Sequence, residues 1–558
     1  MSEFGFHMQR LRAATTDRMT LANIPEWITK NTFINGKPYS FFQHEYQERI
    51  LRDQSQETVT RKCSQVGLSE TTARKALALC GLTRGYTVAY TLPTAAFAAT
   101  FMRTRIDPLI QSSPYLNSLI HTTTDNAEVK RFGDSFLYLK GCQSENAPIS
   151  VPCDHLIHDE IDFSSSETIS QYQSRLTHSP YKRKDKLSTP TLPNRGIDYE
   201  FQRSRRHFNM VKCNHCNHWF MPSYYDHVVV PGWDGKLDEI TKNNLHETQY
   251  KDAYLACPSC GGEPSLLPEH REWVCENATQ SYVAAGYQVT PFDCGLILPS
   301  YLVEASTQYK KTTDFVNFGL GLPAEDSESV LARSELEACV ISDPGPVACS
   351  HVMGLDVGMV SWCIISAVTG DQKMTIVHVE AIPAGRLRER FKELMKQYRV
   401  RMAVIDALPF TETVLALQAV FKNLFAAIFM RSKNLETFNL RDRDEDSKGG
   451  VQELRQVNVN RDKAMDALME TIRSGGVEKV SDEFDEQWVQ HCTAMARIKE
   501  WTPDSEMSYV WRKPDSGDDH LWFATLFAHI ASQILGVSKN TGVRVSPILG
   551  SFKVKPRD

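Results

Sequence analysis

Two α/β domains, the first at least built on a parallel sheet, are predicted by three features of this 558-residue chain. Strand-like apolar runs alternate with helix-like segments through the first part of the sequence, and the same alternation restarts at Val352. Between the two, from about residue 213 to 277, apolar periodicity fades and paired cysteines appear, which marks an insertion or small module. Alternation of strands and helices implies a parallel sheet with helices on its faces. One fold cannot account for the whole chain, because single cores stop growing at about 250 to 300 residues.

The composition, 41% hydrophobic and 23% charged, is that of a globular protein. Neither an N-terminal signal segment nor a run of about 18 apolar residues is present, so the expected compartment is cytoplasmic. A net charge of −6 excludes a uniformly basic surface. Any contact with nucleic acid would come from local patches such as Tyr181–Lys186 or Arg203–Arg206. The 14 cysteines are spread along the chain instead of forming a dense secreted framework, and most read as buried thiols.

In chain order, residues 1–35 are polar and weakly periodic, and the compact part is expected from about residue 36, where the aromatic-rich run Pro38–Tyr46 leads into a helix. Strands are predicted at Glu57–Thr60, Tyr86–Leu92, Ser135–Leu139 and His155–His158, with helices over Ser69–Gly81 and Thr94–Ile110. The second pattern runs through Val352–Gly358, Met374–Val379, a helix over Gly385–Tyr398, Met402–Asp406 and a helix over Leu521–Ile534. Asn439–Val451, with alternating charges and two glycines, reads as a mobile loop or hairpin. The final residues carry Lys539, Arg544, Lys553, Lys555 and Arg557 against one acid, Asp558, and read as an exposed basic tail.

The stretch Arg61–Thr71 departs from the usual phosphate-loop pattern of Gly, four free residues, Gly-Lys and Ser or Thr. Here the first glycine position holds Lys62, the second Gly67, the lysine position Leu68 and the hydroxyl position Ser69. Such a loop works through backbone N–H groups, here those of Val66, Gly67 and Leu68, that converge on phosphate at a helix N-terminus. The ammonium group missing at Leu68 is supplied from the other end of the loop, where the Lys62 stem can fold over it. Ser69 would give its hydroxyl to Mg²⁺. Downstream, an apolar run ends in Asp159-Glu160: Asp159 would hold Mg²⁺ through water, and Glu160 would orient and deprotonate the attacking water. Ser188, Thr189 and Thr191 place hydroxyls at the end of another predicted strand, where they would sense the γ-phosphate. Gln43 would read the adenine edge and Tyr46 stack on the base; the alternative is that both cap and pack the leading helix.

Cys213-x-x-Cys216 and Cys257-x-x-Cys260 are two knuckles whose four thiolates can close a tetrahedral site for structural Zn²⁺. His215, His218 and Cys275 are substitute ligands if one pairing fails. In the second domain Asp356 and Asp406 each end an apolar strand, and Asp515, Asp518 and Asp519 precede a helix. Carboxylates so placed can converge on two divalent cations about 3.5–4 Å apart, which activate water and stabilise the leaving oxygen of a phosphodiester.

Taken together these residues resemble the large terminase subunit of tailed double-stranded DNA bacteriophages, and the likeness covers most of the chain, including Phe315–Pro323 after the first domain. The resemblance implies a P-loop-type ATPase domain over 36–345, with a zinc-binding insertion at 213–277 and a lid or linker at 278–345. A ribonuclease H-like nuclease domain follows over 346–537, then the basic tail at 538–558. It implies ATP with Mg²⁺, two Mg²⁺ or Mn²⁺ ions at Asp356, Asp406 and Asp519, with Asp518 and Asp515 in reserve, and coupling through Ser188 to Thr191. The implied partners are double-stranded viral DNA, the portal protein of the procapsid, the small terminase subunit and further copies in a ring, with no membrane. The implied place is the host cytoplasm, transiently at the portal and not in the mature virion. Two departures stand out. Many family members carry an arginine within the loop, where this chain has Cys63-Ser-Gln-Val66, so the arginine finger falls to Arg61, Arg175, Arg203 or a neighbouring subunit. The cysteine knuckles are not general to the family. The rival readings are a cellular helicase–nuclease or DNA-repair ATPase, and a zinc-dependent DNA-binding or scaffold protein with a vestigial ATP site.

Overall fold

The computed structural model describes residues 22–143, 152–279, 282–324, 329–343, 349–370, 373–408, 410–430, 435, 437–441, 455–501, 507–513 and 518–540. Asp515, most of the Asn439–Val451 segment and the basic tail beyond residue 540 lie outside the described residues. Contacts divide the chain into one unit of Met1–Asp326 with Lys499–Ser508 and a second of Ser327–Ile498 with Tyr509–Asp558.

In the first unit, β1 (Glu57–Lys62) is buried at every position and feeds through a short loop into α1 (Leu68–Leu82). Strands β2 (Thr87–Leu92), β3 (Ser135–Gly141), β4 (His155–Asp159), β5 (Arg183–Ser188), β6 (Arg205–Lys212), β7 (Arg271–Cys275) and β8 (Ala284–Val289) follow. The central run of the sheet is β6-β8-β1-β5-β4-β2-β3, parallel throughout, and Val129–Phe132 continues it antiparallel beyond β3. Strands buried on both faces read as continuous rather than alternating apolar runs, as Leu156 and Ile157 do in β4. Because the strands are parallel, Lys62, Asp159 and Ser188 all emerge at the same edge, and β5 lies between the strands carrying the other two.

Two expectations are corrected and one is refined. Packing begins before residue 36: the helix Ile24–Asn31 buries Ile24, Trp27 and Ile28, one helical face, in the core of this unit. The helix expected over Thr94–Ile110 is present, running without a break from Ala95 to Ser112 with a π-helical stretch at Met102–Ile106. The basic run Tyr181–Lys186 is not a nucleic-acid patch, because Lys184 and Lys186 lie in β5 and pair with Glu57 at 2.5 and 2.8 Å, and Lys186 also with Glu200 at 2.6 Å. The cysteine-bearing insertion grows out of the sheet: β7 returns antiparallel on β6, and its own small core includes Val211, Phe220, Leu255 and Phe315.

The second unit holds β9 (Ser350–Asp356), β10 (Val360–Val368), β11 (Met374–Pro383), α2 (Leu387–Gln397), β12 (Met402–Asp406), β13 (Leu424–Met430), β14 (Gln456–Asn460), α3 (Arg461–Arg473) and α4 (His520–Asn540). Its sheet joins an antiparallel meander β11-β10-β9 to parallel β12, β13 and β14, the ribonuclease H-like order. Phe438–Arg441 adds an antiparallel edge strand to β14. Helix α4 lies on β9 so closely that a Cβ at Gly354 would sit 2.0 Å from the Ala524 carbonyl oxygen. Gly354→Ala is therefore expected to cost about 3 kcal/mol or more, since neither backbone can yield. Thermal unfolding of the variant measures it, and an unchanged midpoint would contradict the close approach.

Candidate functional site

The loop after β1 is built to leave a helix N-terminus open. Gly67 has φ 72°, in the left-handed region where a side chain is strained, and no side chain caps the first turn of α1. Gln65 also has a positive φ, of 61°. The amides of Cys63 and Ser64 are taken by the carbonyls of Val289 and Phe318 at 3.1 and 2.8 Å, so any anion at this loop would have to be met by N–H groups from Gln65 onward. Leu68, at the position of the usual lysine, is 4% exposed and packs in the core.

The Lys62 ammonium instead meets Glu160 Oε1 at 2.7 Å. Burial works against its charge, but Glu160 and Asp159 outweigh it and hold the ammonium above the ordinary lysine range. Glu160 has φ 57°, unusual for a residue with a side chain, and its second oxygen accepts from the Ser188 hydroxyl at 3.3 Å and the Thr189 amide at 3.4 Å. One carboxylate thus touches both Lys62 and the strand end that carries Ser188 and Thr189. Asp159 is fully buried; one oxygen accepts from Tyr90 at 2.6 Å and the other has no hydrogen-bond partner. Burial, then the adjacent Glu160, push its carboxyl up. A buried oxygen left unsatisfied beside Ser69, whose hydroxyl lowers that carboxyl, fits a divalent cation. Thr191 is held by Asp162, which accepts from its amide and its hydroxyl, each at 2.9 Å.

The base site needs correction. Tyr46 is 5% exposed and its hydroxyl donates to the Val66 carbonyl, so the ring packs and braces the loop instead of offering a face to adenine. Gln43 has φ 65° and is tied through its carbonyl to the Gly295 amide at 3.0 Å. Gln47, which the sequence reading passed over, does more: its Nε2 donates to the Val66 carbonyl at 2.9 Å and its Oε1 accepts from Thr71. Nothing in local spacing signals that contact. Arg61 is not a free cation: it is buried, paired with Asp198 and Gln288, and lies 4.4 Å from the Phe201 ring centroid. Arg203 covers the Tyr199 ring and Arg175 donates to Ser174 at 3.1 Å.

The four cysteines converge. Their sulfurs lie within 4.8 Å of one another, with Cys213 to Cys260 at 3.8 Å and Cys216 to Cys257 at 3.6 Å. A tetrahedral zinc with bonds of about 2.3 Å has sulfur–sulfur edges of about 3.8 Å. The two knuckles are alike in their turns: Asn217 donates to the Cys213 carbonyl at 2.8 Å, and Gly261 to the Cys257 carbonyl at 2.9 Å. His215 is instead bonded to the Glu263 carbonyl, His218 stacks on Phe220, and Cys275 contacts Asn277.

In the second unit Asp356 and Asp406 end the adjacent parallel strands β9 and β12. Burial pushes Asp406 up to about 6, with the charge of Asp356 adding to it. Asp519, 8% exposed, sits one residue before α4 and faces Lys513 at 3.5 Å, while Asp518 is exposed. His520, on the first turn of α4, bonds Asp356 at 2.7 Å, and that bond holds it above the ordinary histidine value. Among the described residues, only the four cysteines form a group of three or more metal-ligating side chains with all ligand atoms within 4.8 Å; the three acids do not. No helix among the described residues is long and apolar enough to cross a membrane.

A parallel sheet with a lysine-led phosphate loop at one strand end and an Asp-Glu pair two strands away defines an ATPase of the phosphate-loop class. Residues 37–278, under half of the chain, match the family described as phage terminase large subunit gpA, ATPase domain. No curated protein matches it. Among solved structures it is similar to the HK97 bacteriophage large terminase, at 10% identity over 91% of this chain and 98% of that one, with a TM-score of 0.49. The Thermus phage P74-26 large terminase ATPase domain is similar at 13% identity over 50% of this chain and 95% of that one, with a TM-score of 0.31. The large terminase nuclease from thermophilic phage G20c is similar at 14% identity over 35% of this chain and 96% of that one, with a TM-score of 0.25. The family match concerns residues 37–278 alone.

Proposed function

We propose that this chain moves viral double-stranded DNA into procapsids by hydrolysing ATP and cuts the concatemer with its second unit. The observation that carries the reading is the placement of Glu160 between Lys62 and the Ser188–Thr189 strand end. ATP binding would draw Lys62 onto the phosphates and free Glu160 Oε1, while Oε2 keeps the contact to β5. Glu160 then accepts the proton of the attacking water, and the change in its contacts is passed to Ser188, Thr189 and, beyond them, Thr191. Mg²⁺, held by Ser69 and, through water, by Asp159, would neutralise charge developing on the phosphates. The arginine finger falls to Arg175, Arg203 or a neighbouring copy in a ring.

In the second unit, Asp356, Asp406 and Asp519 would hold the divalent cations that activate water against a phosphodiester. His520, bonded to Asp356, would orient that carboxylate. The portal protein and the small terminase subunit would be the partners, in the host cytoplasm and at the procapsid. DNA contacts made through phosphates would be independent of sequence and weakened by salt. Portal-bearing procapsids should raise DNA-dependent ATP turnover. Unwinding of a forked duplex without that stimulation would favour the helicase–nuclease reading.

Zn²⁺ at Cys213, Cys216, Cys257 and Cys260 would be structural, since four thiolates leave no open position. Cys257→Ser is expected to lower bound zinc from one equivalent toward none and to unfold the insertion, because metal binding in such modules is folding free energy. Metal analysis with limited proteolysis checks this, and wild-type protein free of zinc yet resistant over 213–277 would refute it.

A further inference from the structure

Helix α2 carries a row of cations on its exposed side. From Arg386 to Arg401 the chain has seven Lys and Arg against two Glu, in a protein whose net charge is −6. Leu387, Phe391, Leu394 and Met395 are buried and fix which way the helix faces. Arg388, Lys392 and Lys396, spaced by four and all exposed, therefore stand one above the other on the outer surface. Among the described residues none of the three has a carboxylate within 4.0 Å, whereas Arg390 is bonded to Glu380 at 2.9 Å and to Glu393 at 2.8 Å. Like charges four residues apart destabilise a helix, so the row works against the fold and calls for an anionic partner.

The sheet fixes where the row begins and ends. Pro383 closes β11 opposite Val360, and the Ala384 amide donates to the Met359 carbonyl at 3.1 Å, so α2 starts at the edge where β9 delivers Asp356. Beyond the far end of α2, the Arg401 amide donates to the carbonyl of His351, near the start of β9, at 2.8 Å. The helix thus runs back along β9 from the acid edge. Between Arg388 and Lys396 it rises about 12 Å. Phosphates of one strand follow one another at about 3.4 Å along the duplex axis, so the row spans three or four of them.

We propose that this face of α2 is the track on which the phosphate backbone of duplex DNA lies as it reaches the nuclease acids, with Arg388, Lys392 and Lys396 each meeting a phosphate. The proposal rests on the nuclease reading of Asp356 and Asp406. Contacts of this kind carry no sequence information and set the position of the duplex over the acids. Arg388, nearest the acid edge, places the strand at the cut, and Lys392 and Lys396 hold the duplex behind it.

The test uses the full chain. Binding of a short duplex is measured against salt, without divalent cations, for wild type and for a triple variant, Arg388→Gln with Lys392→Gln and Lys396→Gln. The slope of log affinity against log salt should fall by about 0.9 for each cation removed, with the thermal midpoint kept or raised. Glu389→Gln, which takes an acid away from beside the row, should tighten binding. In plasmid nicking with Mn²⁺ the triple variant should show KM raised at least about tenfold with kcat kept, because the row binds the duplex and does not touch the reacting atoms. An unchanged salt slope in the triple variant, or a fall in kcat with KM kept, would overturn the track. A lowered slope in a protein whose wild type cuts nothing would sink the nuclease reading alone, and normal cutting by the triple variant with its slope intact would sink the track alone.

Discussion

Glu160→Gln is expected to lower DNA-stimulated ATP turnover by about 10³-fold while nucleotide binding persists. An amide keeps the shape of the carboxylate and can still accept from Ser188 and Thr189, so the contact to β5 survives. It cannot take a proton from water, and a positioned general base is worth about 10² to 10⁴ in rate. The lost ion pair matters in the opposite direction: Lys62, no longer held at 2.7 Å by an anion, meets the phosphates without having to leave a buried partner. ATP affinity should therefore be kept or raised. Steady-state turnover and equilibrium nucleotide binding on the same preparation test both halves, and normal DNA-stimulated turnover in the variant would remove Glu160 from the chemistry.

Asp356→Asn should abolish DNA cleavage and leave ATP turnover unchanged. Asp356 ends β9 beside Asp406 on β12 and is oriented by His520 at 2.7 Å. Partners that merely orient a metal ligand cost about 10 to 100-fold when removed, so loss of a ligand itself should cost at least about 10²-fold. The neutral side chain also removes the repulsion that helps push Asp406 up to about 6. The remaining acid would titrate closer to its ordinary value, yet one carboxylate cannot hold two cations. Nicking of supercoiled plasmid with Mn²⁺ is the readout, because Mn²⁺ tolerates poorer sites, and retained cutting would displace the assignment from this sheet edge.

How much of this was legible beforehand depended on range along the chain. The Lys62-led loop, the Asp159-Glu160 end of β4 and the cysteine knuckles are each a few residues long, and their chemistry follows from residue type and spacing. The roles of Tyr46 and Gln47 were not legible, because they reach Val66 across 20 and 19 residues of chain, and a glutamine in a helix carries no mark of its partner. Arg61 read as a free cation for the same reason: Asp198, which neutralises it, is 137 residues away. The Tyr181–Lys186 run looked like a basic patch because charge was counted without knowing that Glu57 stands opposite it on the next strand.

By itself the sequence determined that there are two α/β domains and a four-cysteine insertion, and that a Lys62-led loop, an acid pair and strand-end aspartates are present, since periodicity and short motifs are local properties. Only the tertiary structure decided that β5 runs between β1 and β4, that Glu160 joins Lys62 to Ser188, that Phe318 and Val289 occupy the first loop amides, and that α4 brings His520 to Asp356. Those are choices of strand order and register. They are settled by which faces can be buried together over long separations, and no single segment carries that information.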